Sequence, residues 1–186
     1  MAALVNGAIG VNFGDTSMYS GGVFLPDGKY CVYYDVMMYQ PTDQKTGAPK
    51  GKSNLGVMIS FYPLANPVED AKIQKFYSMG QKADESYAPN PETGKGIVAV
   101  PGAKGQNLND KTNWMMWLNS MEQSGLPKGV FTNDISVCDG MWVYVTSVDE
   151  PEERKGFQSA TGEVQALDRK PAKIPVVSGI DRKSVV

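Results

Sequence analysis

The chain predicts an α+β domain: a curved, mostly antiparallel sheet with two helices packed on it. Three observations carry that expectation. Residues 29–39, 55–64 and 141–148 are runs of β-branched and aromatic residues bounded by Pro, Gly, Asn and Asp, the pattern of strands. Residues 112–124 place Trp114, Trp117, Leu118 and Met121 at i, i+3, i+4 and i+7, one face of a helix. Residues 67–80, PVEDAKIQKFYSMG, predict a second helix. Pro67 suits a first helical position, Glu69 and Asp70 suit its positive end, and Ile73, Phe76 and Tyr77 form an apolar stripe closed by Gly80.

The elements follow in order. Residues 1–20 are rich in Gly, Ser and Asn and predict an irregular arm. A short strand at 21–25 leads into Pro26-Asp27-Gly28, a turn in which proline presets φ and glycine accepts a positive one. The strand KYCVYYDVMMY, 29–39, turns Tyr30, Val32, Tyr34, Val36 and Met38 to a core and Cys31, Tyr33, Asp35, Met37 and Tyr39 to a half-exposed face. Residues 40–54 form a polar loop with Lys45, Lys50 and Lys52 against the single acid Asp43. The chain returns as a strand over 55–64, which predicts a hairpin with a long flexible tip.

After the 67–80 helix, residues 81–107 alternate turn signals with one short strand at 96–100. Asp110 or Thr112 can cap the next helix, and Gly125 closes it; Leu126 is placed to fold back on Met121, and Pro127 forbids continuation. Asp139-Gly140 opens the strand 141–148, with Met141, Val143 and Val145 on one face and Trp142, Tyr144 and Thr146 on the other. The globular unit is expected at 21–155 and a linker and tail at 156–186, with Ile174 to Val177 as an edge strand. The last residues, DRKSVV at 181–186, resemble the translation of a short sequencing adapter and are set aside from fold reasoning.

Composition narrows function. Of the 186 residues, 41% are apolar and 20% charged, the balance of a soluble globular protein. Eighteen basic and twenty acidic residues give a net charge of −2, so a general polyanion binder is not indicated, though a local basic patch is compatible. Histidine is absent, which excludes Ser-His-Asp and Cys-His catalysis and any histidine-ligated metal. Cys31 and Cys138 lack the close spacing of a metal or redox pair and read as reduced, buried thiols. No run is apolar enough for a membrane span, and the opening MAALVNGAIG lacks a positive n-region. The expectation is therefore a cytoplasmic, non-catalytic protein with no cofactor, no metal and no membrane partner.

Motifs with chemical content are few. Residues 47–53, GAPKGKS, come near a P-loop but are one residue short between the glycines and precede a strand, where a phosphate cradle needs a helix. Glu150, Glu152 and Glu153 beside Arg154 and Lys155 form a solvated run, and Asp134 and Asp139 serve turns and caps. Rings and lysines are the positive signal. Tyr33, Tyr39, Phe61, Tyr62, Trp142 and Tyr144 fall on strands; Lys45, Lys50, Lys52, Lys95 and Lys104 fall on loops. Single-strand binders combine rings that stack bases with cations that track phosphates. The hairpin 29–62 is the expected grip, with Tyr33, Tyr39 and Phe61 as stacking faces and Lys45, Lys50 and Lys52 as phosphate contacts.

Four segments carry a resemblance: Phe76-Tyr77-Ser78-Met79-Gly80; Thr112-Asn113-Trp114 with Gly125-Leu126-Pro127; Asp139-Gly140-Met141-Trp142; and Glu150-Pro151-Glu152-Glu153-Arg154. Over residues 25–157 the chain resembles small proteins of tailed-phage early regions. Some of those are single-stranded-DNA-binding proteins on an OB-like barrel. The resemblance implies a viral, cytosolic, non-catalytic protein. Taken with the rings and lysines, the expectation is an OB-like barrel that binds single-stranded DNA in phage replication or recombination within an infected bacterium, with a homo-oligomer compatible. It assigns no binding residue. A phage virion or assembly protein is the alternative, since an N-terminal arm and a long hairpin tip also suit subunit interlocking.

Overall fold

The computed structural model describes residues 25–40, 42–43, 45–49, 51–63, 72–80, 82–103, 108, 111–130, 134–150, 156–158, 164–166 and 173–181. Its main sheet has five strands: β1 (Gly28–Tyr39), β2 (Asn54–Tyr62), β3 (Ile73–Ser78), β6 (Met141–Asp149) and β9 (Lys173–Ile180), in the order β3-β2-β1-β6-β9. Every ladder is antiparallel. Three consecutive strands followed by a fourth that returns beside the first is Greek-key connectivity. Two small ladders complete the strands, β4 (Tyr87–Pro89) with β5 (Ile97–Ala99), and β7 (Gly156–Gln158) with β8 (Val164–Ala166). The α-helix α1 (Asn113–Gln123) precedes β6.

α1 forms where its local signals place it. Thr112 caps it, its Oγ1 accepting the Met115 N–H at 3.2 Å, and the other candidate, Asp110, lies outside the described residues. Gly125 closes the helix at φ 107°, and the Leu126 N–H donates to the Met121 carbonyl at 3.1 Å. Trp114, Trp117 and Met121 are buried against the sheet. Trp117 lies at the centre, edge-on to Phe61 (5.6 Å) and Tyr77 (5.3 Å), and its indole N–H donates to the Tyr34 hydroxyl at 3.3 Å. That bond satisfies the polar atom of a fully buried ring.

Among the described residues there is one α-helix, not two. Residues 64–71 lie outside the description, and Ile73–Ser78 is a strand. The segment IQKFYS satisfies both periods: Ile73 and Tyr77 lie one helical turn apart, and they also lie on one face of a strand. Six register pairs with β2, from Gly56↔Ser78 to Phe61↔Ile73, decide between them by satisfying the edge of β2.

The described residues do not close the expected OB-like barrel. Among the described residues no ladder joins β3 to β9, but the sheet curls until these edges nearly meet. The buried Tyr77 hydroxyl on β3 donates to the Pro175 carbonyl on β9 at 3.0 Å. Beside it α1 covers the β9 edge, where the Val177 N–H donates to Ser120 Oγ at 2.9 Å. The main sheet thus takes its last strand from 173–180, beyond the 21–155 expected of the globular unit. Ile174 to Val177 lie on an edge strand, as expected.

Two Asp-Gly pairs extend the β1–β6 ladder past its ends. At one end the Asp27 carboxylate accepts from the Ser147 N–H and the Thr146 hydroxyl, both at 3.0 Å. At the other, Asp139 Oδ1 accepts the Tyr34 N–H at 2.8 Å, and the Gly140 N–H donates to the Val32 carbonyl at 2.8 Å. Beyond that the Val36 N–H donates to the Gly94 carbonyl at 2.8 Å. A side chain and a loop therefore satisfy β1 where β6 has ended.

Candidate nucleic-acid interface

Register assigns the outer face, the one turned away from α1. In β1 it carries Lys29, Cys31, Tyr33, Asp35, Met37 and Tyr39. The antiparallel partners of these residues are Asn54, Gly56, Met58, Ser60 and Tyr62 on β2, and Trp142 and Tyr144 on β6. Met58 and Ser60 in turn oppose Phe76 and Gln74 on β3. Cys31, Met58, Tyr62 and Phe76 are buried yet stand apart from the main core cluster, so this face bears its own thin apolar layer.

The six residues expected to form the grip separate. Tyr33 is 36% exposed and packs edge-on to Tyr62 at 5.6 Å. Tyr39 is half-buried, tilted against Phe76 at 5.0 Å. The two rings meet across β2 because position 56 is glycine; a Cβ there would overlap the Phe76 ring and the Tyr77 carbonyl. Phe61 is not a stacking face. It is 0% exposed, pairs with Val32 on the inner face, and packs on Tyr30 and Trp117. The pairing puts Tyr62, one residue on, across from Cys31 on the outer face.

Lys45 and Lys52 are exposed in the 40–53 connection, and Lys50 lies outside the described residues. The tip is built around Asp43, whose Oδ1 accepts from the Lys45 and Thr46 N–H groups, each at 2.9 Å, and from the Thr46 hydroxyl at 3.1 Å. Gly47 at φ 68° and the Thr42↔Pro49 bridge complete a small closed turn. Residues 47–53 lead straight into β2, so no helix N-terminus follows them.

Lys95 is committed internally. Its ammonium lies 3.0 Å from Asp35 Oδ1 and 2.9 Å from Asp139 Oδ2, and it donates to the Tyr34 carbonyl. Burial lowers its pKa, but the hydrogen bonds to Asp139 and Asp35 outweigh that and leave it raised. Lys104 lies outside the described residues.

One group on this face lies outside the expected grip. Lys29 Nζ sits 5.3 Å from the Trp142 ring centre and 5.6 Å from that of Tyr144, and pairs with Asp181 at 2.6 Å. Its pKa is raised, first by the hydrogen bond to Asp181. Tyr144 is 46% exposed. Trp142 and Tyr144 were legible as strand aromatics, but their meeting with Lys29 depends on the pairing Lys29↔Tyr144, a contact between distant residues.

Neither cysteine is poised as a nucleophile. Burial raises the Cys31 thiol and pushes Cys138 up to about 12. Among the described residues no group of three acids and cysteines could hold a metal ion, and no helix is long and apolar enough to cross a membrane. No protein-family model matches the chain, no curated protein matches it, and no solved structure matches its fold.

Proposed function

We propose that the chain is a non-catalytic single-stranded nucleic-acid-binding protein on an OB-like barrel, of the kind used in phage replication or recombination in an infected bacterium. One observation carries the reading: on the face opposite its helix a curled Greek-key sheet presents the exposed rings Tyr33 and Tyr144 with Lys29, and Lys45 and Lys52 are exposed in the loop after its first strand. OB folds are five-stranded, partly open Greek-key barrels that bind oligonucleotides on the sheet and on the loops after their first and fourth strands. Here those loops correspond to 40–53, with Lys45 and Lys52, and to 150–172, which contains β7 and β8. Each base stacked on a ring contributes about 1–3 kcal/mol, and stacking tolerates any sequence.

The test is a titration of oligo-dT at low and high salt, followed by tryptophan fluorescence, with Trp142 as the half-buried reporter. Saturable binding is expected at low salt. Each lysine that meets a phosphate makes log K fall against log salt with a slope of about −0.7. A flat signal at low salt ends the reading. The acidic balance of the chain, net charge −2, favours the alternative of a virion or assembly protein. Light scattering that finds a large assembly without nucleic acid, together with a flat titration, would support that alternative.

A further inference from the structure

We propose, resting on the single-strand reading, that the bound strand follows a track on the β1–β6 side of the outer face and avoids the β2–β3 side. Tyr144, Trp142 and Tyr33 are its stacking platforms and Lys29 is its phosphate contact. Burial separates the two sides. On β2 and β3 the outward residues Ser60, Met58, Phe76 and Tyr62 are all buried, so no ring there offers an open face. On β1 and β6, Tyr33 and Tyr144 are the exposed aromatics of the sheet among the described residues.

Register sets the spacing. Tyr144 stands level with Lys29, Trp142 level with Cys31, and Tyr33 lies two residues further along β1. The three rings therefore step along the sheet at intervals of about 7 Å. That is about twice the 3.4 Å rise of a stacked strand, so bases on neighbouring rings are drawn apart and the strand is held extended. Two glycines keep the platforms open. Position 140 has no side chain beside the Tyr33 hydroxyl, and position 179 has none beneath the Tyr144 ring.

Charge defines both ends of the track. Lys29 lies against the Trp142 and Tyr144 rings, where a phosphate can take the place of the Asp181 carboxylate. Past Tyr33 stand Asp35 and Asp139, which among the described residues share the single ammonium of Lys95. One cation against two carboxylates leaves that end repellent to phosphate, which places Tyr39 off the track.

The experiment is fluorescence anisotropy of end-labelled oligo-dT with the full chain, in wild type, Tyr144→Ala, Tyr144→Leu, Lys29→Gln and Tyr39→Ala, each first shown to melt like wild type. Tyr144→Leu keeps bulk over Gly179 without a ring, so it serves if the alanine variant unfolds. Loss of the Tyr144 ring weakens binding about tenfold. Lys29→Gln weakens it and makes the salt slope shallower by about 0.7. Tyr39→Ala leaves affinity within about twofold, because a residue off the track holds no base. The track is overturned if wild type binds while the Tyr144 and Lys29 variants bind equally well, or if Tyr39→Ala loses as much as they do. If wild type itself fails to bind, the single-strand reading falls and the track falls with it.

Discussion

The two faces of β1 use the same residue types to different ends. Tyr30, Val32, Tyr34 and Val36 are buried on the inner face, where Tyr34 meets Trp117 and Trp114. Tyr33 and Asp35, interleaved with them, face outward and are exposed. The inner face is sealed by a helix whose own residues specify it. The outer face keeps a thin layer of rings on β2 and β3 and opens toward β6. A strand's alternation thus separates two faces but does not say which will be covered; only the partners do.

The sharpest way to break this contrast is to remove one ring from each face. Phe61→Ala, on the inner face, should cost about 3–5 kcal/mol in urea unfolding, the range for deleting a buried aromatic side chain. Tyr33→Ala, on the outer face, should cost about 0.5–1.5 kcal/mol, the value of one edge-on aromatic pair. Equal losses would mean that the outer face is as much core as the inner one.

Gly56→Ala tests the outer layer from below. The new methyl meets the Tyr77 carbonyl and the Phe76 ring, and overpacking of this kind costs about 1–3 kcal/mol. A neutral result would show that Phe76 does not lie across β2 toward Tyr39.

A smaller effect comes from Lys75, which stands on the inner side of β3 opposite Ile59. Burial pushes its ammonium down to about 8 from an ordinary 10.5. The unfolded chain therefore binds this proton more tightly than the folded one, and stability from Lys75 rises with pH above about 8. The Cys138 thiol, held up to about 12 by burial, keeps its proton in the fold, so its contribution is lost as pH rises past its ordinary 9.0. Wild type should gain in urea midpoint between about pH 8 and 9, while Lys75→Met, which keeps the Cys138 thiol, loses slightly. A fall in wild type over that interval contradicts the assignment.

What was legible in the chain is what neighbours in sequence decide. The cap at Thr112, the exit at Gly125 and Leu126, and the alternation of β1 and β6 all rest on residues a few positions apart. The segment of β3 reads as a helix because Ile73 and Tyr77 fit either period, and its ladder with β2 settles the matter. Phe61 reads as an outward ring because sequence alone does not fix the register, which instead puts Tyr62 across from Cys31, in ring contact with Tyr33. The Lys29 group and the two bridging carboxylates were not legible. They join residues more than a hundred positions apart, as Asp139 and Tyr34 are.

One sheet face is closed core, and the other is proposed to carry an open aromatic track. Tyrosine nitration of the native chain, mapped by mass spectrometry with and without oligo-dT, addresses both halves at once. Tyr33 and Tyr144 should react, Tyr34 and Tyr77 should not, and oligo-dT should protect the reactive pair. Native-state nitration of Tyr34 or Tyr77 as fast as that of Tyr144, or reactivity of Tyr33 and Tyr144 unchanged by saturating oligo-dT, would contradict the account.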